Sequence, residues 1–342
     1  MPASSSAAVS AADLSPHLVS VVVPVYAGEQ TLPGLVTELL PLTEGFTTPD
    51  GHRGRVTEVV LVHDHGRDGS ARVLRELAGK HDVVRPVWLS RNYGQHAATL
   101  AGMASSGGEW IVTLDEDGQH DPADIPRLLD RAMAAQASLV YAEPVNGRQH
   151  GPVRNLASSL SKHLVDLLVT GNNARIYHSY RLMLGEVGRG VAAYAGAGVY
   201  LDVALGWVSG DATTCPVTLR AEGARPSGYR MRSLLSHFWR LVLTSGTRLL
   251  RVVAVVGAAF ALLGIAFALL LVGNKLLGGD IQPGWTSVIV AVLVGTGAVM
   301  LSLAVVAEYV GVAVNMAMGK PLYLITADPM SGPLSRGVET ER

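Results

Sequence analysis

The chain has 342 residues, room for one large domain and a smaller addition. Hydrophobic residues make up 49% and charged residues only 16%, and a formal net charge of −1 excludes a broadly basic, nucleic-acid-binding surface. Cys215 is the only cysteine, which excludes an intrachain disulfide and a cysteine zinc cluster.

Residues 1–17 begin MPASSSAAVSAADLSP, with no basic n-region and no long apolar h-region, so a disordered leader is expected rather than a signal peptide. From Val19 short β-branched runs alternate with helix-like segments. Val19–Val25 reads as a strand and Thr31–Leu40 as a helix; Val56–Val62 is a second strand, with a helical pattern over Ser70–Gly79 after it. Val83–Leu89, Glu109–Leu114 and Ser138–Tyr141 are further strands, separated by helices at Gln95–Ala104 and at Pro122–Ala135, which has proline in its first turn. This alternation predicts a mostly parallel α/β sheet with helices on both faces over residues 18–228. The strand ends then gather at one rim, bringing together Tyr26–Glu29, His63–Gly69, Ser90–Gly94 and Asp115–Asp121.

The region from Gly151 to about Arg225 is less regular. Asn155–Val169 carries a helical stripe of Leu156, Leu160, Leu164, Leu167 and Leu168, expected to lie across the sheet or against a membrane surface. Residues 229–250 mix Leu234, Leu235, Phe238, Trp239 and Leu241 with Arg232, His237, Arg240 and Arg248, the pattern of an interfacial amphipathic helix. Two uncharged runs follow, Val252–Val272 and Ser287–Ala307, each long enough to cross a hydrocarbon layer of roughly 30 Å as a helix. With the short link Gly273–Gly284 they predict a transmembrane hairpin within residues 251–313, followed by a tail over 314–342. Arginines crowd the first span on its N-terminal side, whereas the link carries only Lys275 as a cation, so the N-terminal domain and the tail are both expected on the cytoplasmic side of the inner (plasma) membrane. Gly257, Gly264, Gly295 and Gly297 allow close helix packing within a protomer or in a homo-oligomer.

The chemistry concentrates in Ile111-Val112-Thr113-Leu114-Asp115-Glu116-Asp117-Gly118-Gln119. An apolar strand running into Asp-x-Asp delivers two carboxylates to the edge where open α/β sheets bind ligands. Hard cations take oxygen ligands, and Mg²⁺ is commonly held by one or two carboxylates plus substrate phosphates. An isolated Asp-x-Asp reads equally as a solvated acidic turn, so the decision falls to the rest of the chain.

VSVVVPVYAGEQTLPGL, SRNYGQHAATLAGM, LDEDGQHDPADIPRLL, SYRLM, SGYRMRSLL, AEYVGVAV and GKPLYLI, spread from Val19 to Ile325, together resemble the family 2 glycosyltransferases of GT-A fold. Within them the chain is similar to membrane-anchored polyprenyl-phosphate glycosyltransferases, the dolichyl-phosphate mannose synthases and, most of all, the undecaprenyl-phosphate aminoarabinose-type transferases. The resemblance implies a Rossmann-like GT-A domain plus the membrane hairpin. It implies inverting transfer from a nucleotide sugar, with a UDP-sugar favoured, to a polyprenyl phosphate in the bilayer. Asp115 and Asp117 would hold Mg²⁺ or Mn²⁺, with Asp117 the more direct ligand, and Gln119 would orient the metal or phosphate. Pro24, Tyr26, Glu29, Asp64 and Asp68 match the nucleotide-binding positions; Arg181, Ser227 and Tyr229 match acceptor positions, and the neighbouring Arg225 and Arg230 join them as phosphate-binding candidates.

The chain departs from the family pattern in two places. Ala27-Gly28-Glu29 lacks the usual asparagine, and the V-D-D-G-S-x-D-G loop reads Val62-His63-Asp64-His65-Gly66-Arg67-Asp68-Gly69. His63 can stack on or bond a base, which points to altered base preference or impaired activity; adjacent strand residues face opposite ways, which argues against a metal site there. His96, opening a helix, is read as a packing or phosphate-side residue. A different lipid-linked or amphipathic acceptor would need a general base, for which Asp202 is a candidate, although YLDVALGW also reads as an ordinary helix face. A catalytically weak scaffold subunit is the reading from another class, and only the altered Asp64 loop supports it. No Q-x-x-R-W string follows the acidic motif, against a processive synthase, and one hairpin offers too few helices for a pore.

Overall fold

The computed structural model describes residues 15–146, 177–196, 199–220, 248–277, 284–319 and 321–331. These fall into two compact units, one holding residues 15–146, 177–196, 199–220 and 321–331, the other 248–277 and 284–319.

In the first unit the strands are β1 (His17–Val25), β2 (Phe46–Thr47), β3 (Arg53–His63), β4 (Val84–Leu89), β5 (Trp110–Thr113), β6 (Leu139–Pro144), β7 (Arg181–Leu184), β8 (Ala212–Val217) and β9 (Ile325–Thr326). The helices are α1 (Leu32–Glu44), α2 (Ser70–Lys80), α3 (Gln95–Ser105), α4 (Ile125–Ala135), α5 (Gly185–Tyr194) and α6 (Leu201–Val208). A continuous valine run makes β1 central: strands covered on both faces lose the alternation of polar and apolar residues. Val21 and Val23 face one core with Leu35 and Leu39 of α1, Leu74 of α2 and Leu128 of α4. Val22 faces the other, with Leu100 and Met103 of α3, Val191 of α5 and Leu205 of α6. Small residues let α3 lie close to the sheet; a Cβ on Gly102 would stand 2.3 Å from Val22 Cγ1.

The sheet order is β8-β6-β7-β5-β1-β3-β4-β9, with β2 on β3. β1 pairs in parallel with β3 on one side (Val21↔Val59) and β5 on the other (Val21↔Val112). The chain therefore lays β3 and β4 to one side of β1 and then returns to place β5 on the opposite side. That reversal opens a crevice at the carboxyl ends of β1 and β5, where doubly wound sheets take their ligands.

The α/β, GT-A-like sheet is as expected, but it is mixed rather than mostly parallel, because the strand after α4 does not join β5. β7 runs antiparallel between β5 and β6, with Ile111↔Met183 on one side and Val140↔Leu182 on the other. The SYRLM element is thus an interior strand, with Leu182 and Met183 each buried in one core. β2 on β3 and β9 at the far edge, on β4, are antiparallel as well.

In the second unit α7 (Arg248–Leu276) and α8 (Trp285–Ala317) touch one another. Among the described residues one helix is long and apolar enough to cross a membrane by length and composition, over Val294–Val314; the apolar stretch of α7, Val252–Ala266, is shorter. Leu262, Leu263, Leu269, Leu270, Met300 and Leu301 are exposed. The stripe over 155–169, most of the 229–250 segment and half of the link lie outside the described residues.

At the amino end of the sheet the buried Glu58 carboxylate accepts from Ser20 Oγ at 2.7 Å and the Gly107 amide at 2.5 Å, and pairs with Arg85. Burial alone would raise its pKa, but the Gly107, Ser20 and Arg85 hydrogen bonds outweigh it and hold the carboxyl below its usual range. A depressed carboxyl stabilises the fold above its unfolded-state pKa, and that stability is lost as pH falls through the folded pKa. Glu58→Gln is therefore expected to lower stability by about 2 kcal/mol at neutral pH. The deficit should shrink as pH falls below the ordinary carboxylate range, checked by denaturation of both proteins across pH.

Candidate active site at the carboxyl rim

Each of the four loops expected at the rim follows its strand there, and acidic side chains tie them together. Glu116, after β5, accepts from the amides of Tyr26 at 3.0 Å and Ala27 at 2.9 Å, after β1. Glu29, also after β1, accepts from the Gly69 amide at 3.0 Å, while Asp68 accepts from the Glu29 amide at 3.1 Å and Ser70 Oγ at 2.6 Å. Asp64, buried at the end of β3, accepts from the amides of Tyr93 at 2.7 Å and Gly94 at 2.8 Å, before α3. Asp115 closes the circuit: its oxygens accept from Gln95 Nε2 at 2.6 Å, in the first turn of α3, and from Ser179 Oγ at 2.5 Å, just before β7.

The loops are close as well as bonded. A Cβ on Gly66 would fall 1.7 Å from the Tyr26 carbonyl oxygen, and one on Gly28 would fall 2.7 Å from Glu116 Oε2. Only glycine lets the backbone approach so closely at these two positions.

Asp117 is the exposed member of the acidic motif, and its Oδ1 accepts from the Gln119 amide at 3.0 Å across a turn made at Gly118, whose φ is 75°. Gln119 is buried, and its carbonyl accepts from the Arg220 amide at 3.0 Å. Arg220 pairs with Asp121 at 2.8 Å and with Glu38 at 2.7 Å. His120 is buried, stacked on Tyr180 with ring centroids 5.0 Å apart, and takes the Asp115 amide on Nδ1 at 3.1 Å.

Of the residues expected to bind the nucleotide, Pro24 is buried in β1 opposite Val62, and Tyr26 is 46% exposed just past the end of β1. Two opposed effects act on Asp64: burial raises its pKa and the Tyr93 and Gly94 amides lower it, with burial prevailing. For Asp68 the balance reverses, because hydrogen bonds from Ser70 and Glu29 outweigh burial and hold the carboxyl low. His63 is buried beside the Trp88 ring, 5.2 Å away, and its Nε2 has no hydrogen-bond partner. Burial and the neighbouring His65 lower its pKa, favouring the neutral imidazole. His96 packs on Tyr200, ring centroids 4.3 Å apart, as a packing residue would.

Of the residues expected to bind the acceptor, Arg181 is only 3% exposed and its guanidinium pairs with the equally buried Asp202, which also accepts from Tyr141 Oη at 3.0 Å. Arg181 Nε donates to Thr113 Oγ1 at 3.2 Å. Its charge is satisfied inside the domain, so a lipid phosphate reaches it only if that pair opens. Asp202 is likewise enclosed; burial raises its carboxyl pKa against the pull of Arg181. Arg225, Ser227, Tyr229 and Arg230 lie outside the described residues. Sequence reasoning assigned no role to Glu116, Gln95, Ser179 or His120. Glu116 and Gln95 lay inside the quoted motifs, but nothing in the strings says that one reaches back to β1 and the other across to Asp115.

The protein-family model described as glycosyl transferase family 2 matches residues 20–187. The undecaprenyl-phosphate 4-deoxy-4-formamido-L-arabinose transferase of Pseudomonas aeruginosa (strain LESB58) is 35% identical over 90% of this chain and 89% of its own. The protein of that name from Sodalis glossinidius is 30% identical over 94% of this chain and 97% of its own. A crystal structure of glucosyl-3-phosphoglycerate synthase from Mycobacterium tuberculosis, with Mn²⁺, UDP-glucose and phosphoglyceric acid, aligns with a TM-score of 0.45 at 19% identity, covering 68% of this chain and 79% of that one.

The circuit makes Glu116 a testable hinge between β1 and β5. Glu116→Ala leaves two backbone amides without their charged acceptor, a loss of about 1.5–3 kcal/mol. Nucleoside diphosphate binding, measured by titration calorimetry, should weaken about tenfold or more, with circular dichroism of the folded protein unchanged.

Proposed function

The chain belongs to glycosyl transferase family 2, and on that premise we propose that it transfers a sugar, with inversion, from a nucleoside diphosphate sugar to a polyprenyl phosphate of the undecaprenyl type. The observation that carries the reading is the placement of Asp115 and Asp117 at the end of β5, in the crevice where the strand order reverses, in a chain similar along nine-tenths of its length to transferases with that acceptor in their name.

The donor has to bring a diphosphate to a rim lined with carboxylates, which requires a compensating cation. The described residues fit a divalent metal of the Mg²⁺ or Mn²⁺ kind in a particular way. No group of three His, Cys, Asp or Glu gathers among them, which suits an ion held by one or two of these carboxylates together with phosphate and water. Asp117, exposed at the turn, is suited to direct ligation; Asp115, bonded on both oxygens, is suited to orient it. When bound, such an ion offsets the negative charge that develops on the leaving diphosphate. Gln119, buried beneath the turn, orients the same loop.

The side chains of Tyr26, Glu29, Asp64 and Asp68 shape the donor half, with Pro24 buried beneath it, and a UDP-sugar is the favoured donor. His63 replaces an aspartate of the family pattern with a neutral imidazole, so the base contact differs in kind there. In the transfer an oxygen of the lipid phosphate bonds to the anomeric carbon as the bond from that carbon to the diphosphate breaks, and the electron pair leaves with the nucleoside diphosphate. A phosphate monoester, with its second pKa near 6, is largely dianionic at neutral pH and needs no protein base. That suits a chain whose one suggested base, Asp202, is enclosed by Arg181 and Tyr141. Arg225, Ser227, Tyr229 and Arg230 are assigned to the acceptor phosphate, and Arg181 to holding the floor of the site. The apolar runs of α7 and α8 form a membrane hairpin that keeps the catalytic domain at the cytoplasmic face of the bilayer.

The test is nucleotide release by the purified protein with a panel of UDP-, GDP- and dTDP-sugars, with and without undecaprenyl phosphate and divalent metal. Release should require both lipid and metal. Asp117→Ala should lower turnover about 100-fold or more while still inserting into membranes. Wild-type transfer by that variant with unchanged metal dependence would refute the assignment.

A further inference from the structure

Residues 321–331, which follow α8 after three residues, return to the sheet as β9. β9 pairs antiparallel with the end of β4, Trp88↔Thr326 and Leu89↔Ile325, and the Ser90 amide donates to the Leu324 carbonyl at 3.0 Å. Leu322 and Tyr323 pack against the core on the α3 side. Beyond β9, Asp328 takes Arg75 of α2 in a two-point pair, Nε and Nη2 each at 2.7 Å. Its Oδ1 also accepts from the Met330 amide at 2.9 Å, so the carboxylate is held from both sides.

This segment reaches Asp64 by two routes. In one, Asp328 fixes Arg75, whose guanidinium carbon lies 4.8 Å above the Trp88 ring, and that ring lies 5.2 Å from His63, the neighbour of Asp64. In the other, Leu324 holds the Ser90 amide, Ser90 Oγ is bonded to Tyr93 Oη at 2.9 Å, and the Tyr93 amide donates to the Asp64 carboxylate. A strand needed only to protect the sheet edge would not require an acid placed to fix the cation over Trp88. His65 and Asp68 of the same loop, Arg75 and Asp328 are the charged or titratable groups acting on His63.

We propose that residues 321–331 are a strap that positions the donor-binding loop, with Asp328 as a positioning residue acting through Arg75 and Trp88 on His63. What that loop binds rests on the function proposed above; the strap's grip on His63 does not.

The experiment compares wild type, Asp328→Asn and Asp328→Glu in the full-length, detergent-solubilised protein. Donor KM, undecaprenyl phosphate KM and kcat are measured, together with the ring signal of His63 in protein carrying ¹³C-histidine, assigned with His63→Gln. Asp328→Asn should raise donor KM about five- to tenfold, leave acceptor KM and kcat within about twofold, and shift the His63 signal. Asp328→Glu should restore most of both. An unchanged donor KM overturns the proposal. A parallel loss in all three constants with a lowered melting temperature also overturns it, because the strap then serves stability alone. If wild type transfers no sugar, the functional reading fails by itself, and an unmoved His63 signal then overturns the strap.

Discussion

The structure depends on carboxylates that accept backbone amide hydrogens across loops. Glu116 joins the β1 and β5 loops, Glu29 and Asp68 join those of β1 and β3, and Asp64 joins those of β3 and β4. Asp115 ties α3 to the β7 approach through neutral donors. Hydrogen bonds to a charged acceptor are stronger than neutral ones. A rim so tied presents a crevice shaped before any ligand arrives, which reduces the ordering cost of binding.

The same circuit sorts the acids by task. The negative charge at the rim is engaged by amides, hydroxyls or an amide side chain, and Asp117, which takes the Gln119 amide, is the exposed one of the three acids. A motif that reads as three similar acids, Asp115-Glu116-Asp117, thus divides into an oriented carboxylate, a loop clamp and an outward-facing carboxylate. The division follows from where each side chain leaves the turn, and Gly118, with its positive φ, sets that turn.

Beneath the rim, β7 brings Arg181 into register with Thr113 and Tyr141, and the Arg181–Asp202 pair is closed off from water. Removing one partner of such a pair leaves an uncompensated buried charge, so the two side chains are kept together by the cost of separating them. This interior role explains why an arginine in a matching motif does not lie open to a lipid phosphate. At the end of this part of the domain, Arg220 is pinned to Asp121 and Glu38.

The alternation of strands and helices through Ala135 was legible in the chain, because continuous valine runs, helical spacing and proline or glycine at the boundaries are local signals. The rim loops and the place of Asp115 and Asp117 at the end of β5 were legible for the same reason: a strand that ends in acids announces its own edge. β7, β8 and β9 were not, since short strands that pair with distant partners carry little local pattern, and antiparallel insertion between β5 and β6 is decided by which apolar face finds cover. Sequence alone determined the parallel β5-β1-β3-β4 part of the sheet, its acidic rim, the family resemblance and the apolar character of the C-terminal helices. Tertiary structure alone decided that Glu116 clamps β1, that Arg181 and Asp202 neutralise each other, and that Asp328 returns to Arg75. The partners of each pair stand on different elements, and only the packing of those elements brings them within hydrogen-bonding distance.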